Sequence, residues 1–350
     1  MKIVVVGTVG LPACYGGFES LVENITLNST EKISYTVFCS SKAYKSKLIS
    51  HNGADLVYIP LNANGSQSIL YDIWSLIKTI SIKPDSVLIL GVSGCIFLPI
   101  FRLFSKSKVV TNIDGLEWKR DKWSFFVKKF LKFSEKLAVK FSDIVVTDNQ
   151  AITNYVKEEY GIESKTIAYG GDHALRSIPV EYADSEAYAL GLCRIEPENN
   201  VELILESFSQ LSIPLKFVGN WNNSEFGRKL KAKYSQFNNI ELLDPIYDLD
   251  ELYHLRKMCS LYLHGHSAGG TNPSLVEMMH FGCPIFAFDC SFNRHSTDNQ
   301  AHYFTDIDSL TRLIQSISHD QKFVNGQSML AIAKDRYTWT KVAEQYESTF

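Results

Sequence analysis

The sequence predicts an α/β protein of two doubly wound, Rossmann-like domains, and three observations carry that reading. At 350 residues the chain exceeds one ordinary core, and a prior of roughly 150 residues per domain gives two. Apolar strand-like runs alternate with stretches of helical period, the order that builds parallel sheets through right-handed crossovers. That alternation breaks off in a polar stretch near Ser177 to Ser185 and then starts again. The expected division is 1–177 and 178–350.

The first series runs KIVVVGT, ISYTVFC, DLVYIPL, SVLILGV, KVVTNID, DIVVTD and KTIAYG. Such near-continuous apolar strands are expected where helices cover both faces of a sheet. The second series runs AYALGLC, PLKFVGN, IELLDPI, LYLHGH and PIFAFD. Ligands of open α/β sheets bind beyond the carboxyl ends of the strands, so a ligand is expected in a cleft between two facing domains. The stretch SVLILGVSGCIFLPIF, Ser86 to Phe101, falls short of the ~20 residues of a spanning helix and is broken by Gly91, Gly94 and Pro99; it reads as strand, turn and short helix. Residues Thr338 to Phe350 have helical character and are expected to pack back on the first domain.

Composition excludes several classes. Hydrophobic residues make up 45% and charged residues 21%, ordinary for a folded soluble protein. A formal net charge of -3 gives no global reason to expect nucleic-acid binding. The seven cysteines are scattered without a Cys-x-x-Cys pair and read as reduced core residues. The N-terminal KIVVVGT resembles a first core strand rather than a signal peptide, which points to the cytoplasm.

Four segments can carry chemistry. In GTVGLPACYGGFESLVENI a strand enters a loop with Gly16 and Gly17 before a helix, a place where backbone N–H groups can approach an anion, or a plain tight turn; it is neither a dinucleotide fingerprint nor a Walker loop. In GLCRIEPENN, Arg194 follows a strand and can fork onto a diphosphate or pair with Glu196 or Glu198. LHGHSAGGTNPSLVEMM is the most informative: Gly269 and Gly270 lead to Asn272, a good N-cap, with Pro273 at the first helical position and Glu277 in the second turn. A carboxylate there can accept hydrogen bonds from ribose hydroxyls. His264 and His266 on a strand are expected to face opposite sides and His280 to lie on a helix, which argues against a metal cluster, while His266 at the strand end can touch substrate or be a satisfied core histidine. In KVVTNIDGLEWKRDKW, Asp114 and Glu117 follow a buried strand, and Asp114 can act on a sugar hydroxyl or serve as a turn cap. The following helix, roughly Lys122 to Phe141, interleaves lysines with aromatic residues, a pattern that fits an anionic membrane surface or a core-facing helix with a solvated face.

These segments, together with KFSEKLAVKFSD and NRHSTDNQAHYF, resemble in their order and spacing the GT-B fold and the family-4 retaining glycosyltransferases, and more narrowly bacterial rhamnosyltransferases of capsule, O-antigen and wall-polysaccharide synthesis. The resemblance implies metal-independent, cofactor-free transfer from a nucleotide sugar, dTDP-L-rhamnose in the narrower branch, to a hydroxyl of a saccharide, often one on a polyprenyl diphosphate at the inner face of the cell membrane. It implies a first domain for the acceptor and a second for the donor. Arg194 would hold the diphosphate and Glu277 the ribose; Gly16, Gly17, Asn199, Gly270, Thr271, Asn272, Pro273 and Ser274 would border the donor, and Tyr15, Phe18 and Glu117 the acceptor. Arg194, His266 and Asp114 are the catalytic candidates. Two departures mark the branch: Gly269 stands where the family often has a glutamate, and Asn199 where a phosphate-binding lysine is common. The alternatives are a UDP- or GDP-sugar transferase, a GT-B epimerase or phosphorylase-like enzyme, and a non-catalytic glycan-binding scaffold.

Overall fold

The computed structural model describes residues 1–14, 16–119, 123–179 and 187–350. It comprises two compact units: Met1–Tyr169 with Trp339–Phe350, and Gly170–Thr338. The division precedes the 177/178 position expected from composition, because the chain from Gly170 onward already packs in the second unit, with the Gly171 N–H donating to the Tyr337 carbonyl at 2.8 Å.

The first unit contains strands β1 (Lys2–Val6), β2 (Ser34–Ser40), β3 (Ser50–His51), β4 (Ala54–Ile59), β5 (Ser86–Leu90), β6 (Lys108–Asn112), β7 (Ile144–Thr147) and β8 (Lys165–Thr166). They form one sheet in the order β3-β4-β2-β1-β5-β6-β7-β8. Among the described residues only the β3–β4 pair of this sheet is antiparallel. Ile3 to Val6, Val87 to Leu90 and Val109 to Val110 are all buried, as strands covered on both faces must be. β1 pairs with β2 on one side and β5 on the other. Strand order therefore reverses at β1/β5, where the loops after these strands diverge.

The second unit contains β9 (Ala189–Leu192), β10 (Leu215–Val218), β11 (Ile240–Leu243), β12 (Leu261–His264), β13 (Ile285–Phe288) and β14 (His302–Phe304). Their order is β11-β10-β9-β12-β13-β14, the dinucleotide-fold arrangement with its switch point at β9/β12. All its pairs are parallel. Phe208, Phe217, Trp221 and Tyr234 fill the core on one side of this sheet. The loops that leave β9 and β12 carry Arg194 and the segment Gly265 to Asn272.

The stretch from Ser86 comprises β5, a short 3-10 turn (Cys95–Phe97) and the helix Leu98–Phe104. Among the described residues no helix is long and apolar enough to cross a membrane. The cysteines depart from expectation. Cys39, Cys95 and Cys283 are buried, but Cys14 is exposed and Cys193, Cys259 and Cys290 are partly exposed, so only some are core residues.

Candidate active site

The β12 strand ends at His264, and the chain then turns through Gly269, whose φ of +121° suits glycine alone. A side chain there would also press on the His266 imidazole, since an added Cβ would lie 3.0 Å from Nε2. Thr271 is buried. Asn272 caps the helix Pro273–Met279, its Oδ1 accepting from the Ser274 N–H at 3.0 Å and from the Ser274 hydroxyl at 2.8 Å. Leu275, Val276, Met278 and Met279 anchor this short helix in the core, leaving Ser274 and Glu277 less buried.

Glu277 is held by residues that sequence reasoning did not nominate. Arg256, on the helix Leu249–Met258 and 6% exposed, donates through Nη2 to Glu277 Oε2. His173 Nε2 stands 3.4 Å from the other oxygen, Oε1, with its side chain 37% exposed. Gly171 lets the segment carrying His173 lie against the helix: a Cβ at that position would come within 2.6 Å of the Val276 carbonyl and 2.7 Å of the Glu277 nitrogen. In the sequence, Arg256 is one basic residue in an amphipathic helix and His173 one histidine in a loop. The only signal was the glycine pair Gly170–Gly171 before Asp172 and His173.

Arg194 follows β9 with its side chain about half exposed and its guanidinium 3.5 Å from Glu196. A surface pair of this kind is worth about 0–1 kcal/mol, so an incoming diphosphate can readily replace it. Asn199 differs from expectation. Its side chain is buried, Nδ2 donating to the Arg194 carbonyl at 2.7 Å and Oδ1 facing His266 Nδ1 at 2.7 Å. It therefore ties the β9 loop to the β12 loop and stands behind the residues it was expected to accompany. His266 is buried and lies just beyond the end of β12, with its ring 6.0 Å from that of His264, so the two imidazoles are neighbours and not on opposite sides as expected; residues two apart in extended chain share a face. Burial, then the neighbouring His266, holds the His264 imidazole well below its ordinary value and hence neutral. Among the described residues no group of three or more histidines, cysteines or carboxylates is placed to hold a metal ion.

In the first unit Gly16, at φ +88°, precedes the helix Gly17–Leu27. Two glutamates of that helix brace the preceding loop. Buried Glu19 accepts from the Thr8 hydroxyl at 2.9 Å and the Val9 N–H at 2.6 Å; Glu23 accepts from the Ala13 N–H at 2.9 Å and faces His51 Nε2 at 2.6 Å. Gly17 lies beside the Tyr169 hydroxyl, 3.4 Å from where its Cβ would be, and Phe18 beside Gly91. Asp114 follows β6 in the left-handed region, φ +61°, with its N–H donating to Asn112 Oδ1 at 2.9 Å. Burial, and then the charges of Asp114 and Asp148, push the Tyr169 phenol well above its ordinary value, so these groups share one neighbourhood at the strand ends. Glu117 Oε2 accepts from the Trp123 indole at 3.1 Å. Tyr15 lies outside the described residues.

The basic aromatic helix spans Phe125–Phe141; Lys122, where the expected element began, lies outside the described residues. Phe125, Phe126 and Phe133 are exposed, as are Ile100, Leu103 and Phe104 of the contacting helix Leu98–Phe104. On its inner side Glu135, 2% exposed, accepts from the hydroxyls of Tyr155 and Tyr160 at 2.6 Å each and from the Trp118 indole at 3.1 Å. A surface cavity of about 360 Å³ lies here, lined by Lys129, Lys132, Phe133, Lys136, Glu159 and Tyr160. None of its lining residues belongs to the Gly16, Asp114, Arg194 or Glu277 segments.

Residues 179–331 match the family model described as glycosyl transferases group 1. Residues 1–172 match a domain of unknown function (DUF1972). No curated protein sequence matches the chain. Among solved structures, sucrose-phosphate synthase from Thermosynechococcus elongatus is similar at 12% identity with a TM-score of 0.81, over 99% of this chain and 97% of that one. Anabaena HepE, solved with UDP and glucose, is similar at 15% identity with a TM-score of 0.76, over 100% of this chain and 99% of that one. A glycosyltransferase from Rickettsia africae is similar at 12% identity with a TM-score of 0.71, over 99% and 97%. These likenesses identify the fold as GT-B.

Proposed function

We propose that this GT-B protein, whose C-terminal half belongs to the group 1 glycosyltransferases, moves L-rhamnose from dTDP-L-rhamnose, with retention, to a hydroxyl of a lipid-linked saccharide. Transfer of a sugar from a nucleotide sugar is the activity of that group. Donor binding rests on one observation above all: at the switch point of the second sheet Glu277, on the helix after β12, is fixed by buried Arg256, while half-exposed Arg194 follows the adjacent β9; the choice of dTDP-L-rhamnose rests on the sequence resemblance. A carboxylate for ribose and a cation for diphosphate are what a nucleotide-sugar donor requires.

In this reading Glu277 accepts from a hydroxyl of the nucleoside sugar, a 2′-deoxyribose in dTDP, and Arg194 exchanges Glu196 for the diphosphate. As the bond to the sugar breaks, negative charge grows on the departing diphosphate, and fixed donors lower the barrier by meeting that charge. Asn199, through the Arg194 carbonyl and the His266 ring, keeps the two loops in register. Gly16, Gly17, Phe18 and Asp114 serve the acceptor side, with Asp114 as base or sugar anchor. Same-face attack needs no covalent sugar intermediate, so no nucleophile is assigned. Charge on the diphosphate is met by Arg194, in keeping with the metal-independent transfer that the resemblance implies. The exposed aromatic and lysine side chains of Phe125–Phe141 suit contact with an anionic membrane, where a polyprenyl-diphosphate acceptor resides.

A second reading, a UDP-sugar donor, draws on the HepE complexes with UDP and with UDP-glucose. A donor screen by nucleotide release, with a short synthetic lipid-linked acceptor, decides between them. Turnover of dTDP-L-rhamnose that disappears in folded Glu277→Gln and Arg194→Ala supports the proposal. Turnover of UDP- or GDP-sugars alone replaces the donor, and donor binding without any turnover makes the chain a glycan-binding scaffold.

A further inference from the structure

The two oxygens of Glu277 are not equivalent. Oε2 faces inward to Arg256, a guanidinium 6% exposed whose Nε finds no hydrogen-bond partner among the described residues. Among the described residues Glu277 is the one carboxylate paired with it. Were Oε2 to turn toward a ligand, a buried cation would lose its counter-charge, the costly way to break a buried pair. Tyr262 closes the same region: fully buried, it donates through its hydroxyl to Ser274 Oγ at 3.2 Å. Oε1, by contrast, faces His173, which is partly exposed and stands at 3.4 Å, longer than a good N–H···O bond. A ligand hydroxyl can take or share that oxygen.

A ribose offers two vicinal hydroxyls, and a carboxylate with both oxygens outward can accept one on each. A 2′-deoxyribose offers only the 3′-hydroxyl. We propose that Arg256 sets the nucleotide class of this enzyme: by holding Oε2 it leaves Glu277 one oxygen for the sugar, which suits a 2′-deoxyribonucleoside diphosphate and gives no preference for a 2′-hydroxyl. The inference rests on the donor-site reading above and adds to it a residue and a chemical reason for the deoxynucleotide.

Titration calorimetry of the full chain with UDP and with 2′-deoxy-UDP, which differ only in the 2′-hydroxyl, tests it. A hydroxyl donating to a carboxylate ordinarily changes binding about tenfold or more. The expected affinities lie within about threefold of one another, and a larger preference for UDP overturns the inference while leaving the donor site in place. Binding of neither nucleotide to the folded protein overturns the donor-site reading and this inference with it. Arg256→Met, which frees Oε2, is expected to move the ratio toward UDP by about fivefold or more, and an unchanged ratio in the folded variant counts against the role of Arg256. Arg256→Lys, which keeps a buried cation, is expected to retain the wild-type ratio.

Discussion

Gly171→Ala tests the packing that positions Glu277. The added methyl would start 2.6 Å from the Val276 carbonyl carbon and oxygen and 2.7 Å from the Glu277 nitrogen, whereas ordinary contact begins at 3.4 Å. The segment cannot simply retreat, because the Gly171 N–H is bonded to the Tyr337 carbonyl at 2.8 Å. About 0.8 Å of displacement must therefore be shared between this segment and the helix Pro273–Met279, and overpacking of this kind costs about 1–3 kcal/mol. For a unit of this size that lowers Tm by about 2–12 °C. In the proposed reading Glu277 positions the donor, and its displacement by this much is expected to lower kcat/KM for the donor by about 10- to 100-fold. Differential scanning calorimetry and steady-state nucleotide release measure the two effects. A variant with wild-type Tm and wild-type kcat/KM would refute the reasoning, because it would mean that the helix and the His173 segment are not in the contact described.

Arg194→Ala is expected to leave Tm unchanged, since its side chain is about half exposed, and to lower kcat by about 100-fold or more by removing a donor to the leaving diphosphate; its activity assay with EDTA should match the assay without it. Phe125→Glu with Phe126→Glu should abolish sedimentation with vesicles containing anionic lipid while leaving soluble-acceptor activity intact. Glu135→Ala should destabilise the first unit by about 1–3 kcal/mol in denaturant melts, because it leaves the hydroxyls of Tyr155 and Tyr160 and the Trp118 indole without their shared acceptor. Burial pushes the Asp72 carboxyl up to about 7, against hydrogen bonds from Ser93 and Gly94. The folded state then holds this proton more tightly than the unfolded state, so stability from Asp72 is present at acid pH and lost as pH rises from about 4 to about 7. Asp72→Asn should remove that part of the slope in melts across this range.

Much of the architecture was legible because its strands are buried on both faces and therefore read as unbroken apolar runs, from KIVVVGT to PIFAFD. β3 and β14 were not, since SH and HYF stand in no longer apolar run, whereas two-residue β8 was read from the run KTIAYG around it. In the candidate site, the cap at Asn272 and Pro273 at the helix start could be read from the sequence because capping chemistry is local. Arg256 and His173 could not, because their meaning depends on which helix and loop meet Glu277. Asn199 shows the converse limit: its place in the motif is visible from spacing, but only the inward turn of its amide shows that its bonds go to protein groups.

The return of Trp339–Phe350 to the first unit bears on biogenesis. Its helix supplies Tyr346, whose hydroxyl accepts from Asn112 at 2.7 Å at the end of β6, and Glu347, which accepts from the Thr30 N–H at 2.9 Å. Synthesis proceeds at about 5–20 residues per second, so the nascent first unit waits roughly 10–30 s after Tyr169 for these groups. During that interval the buried end of β6 lacks its cover, while the second unit can form in one uninterrupted stretch. The unit that emerges first from the ribosome is thus completed last, and early termination anywhere in the second unit leaves the first unfinished as well.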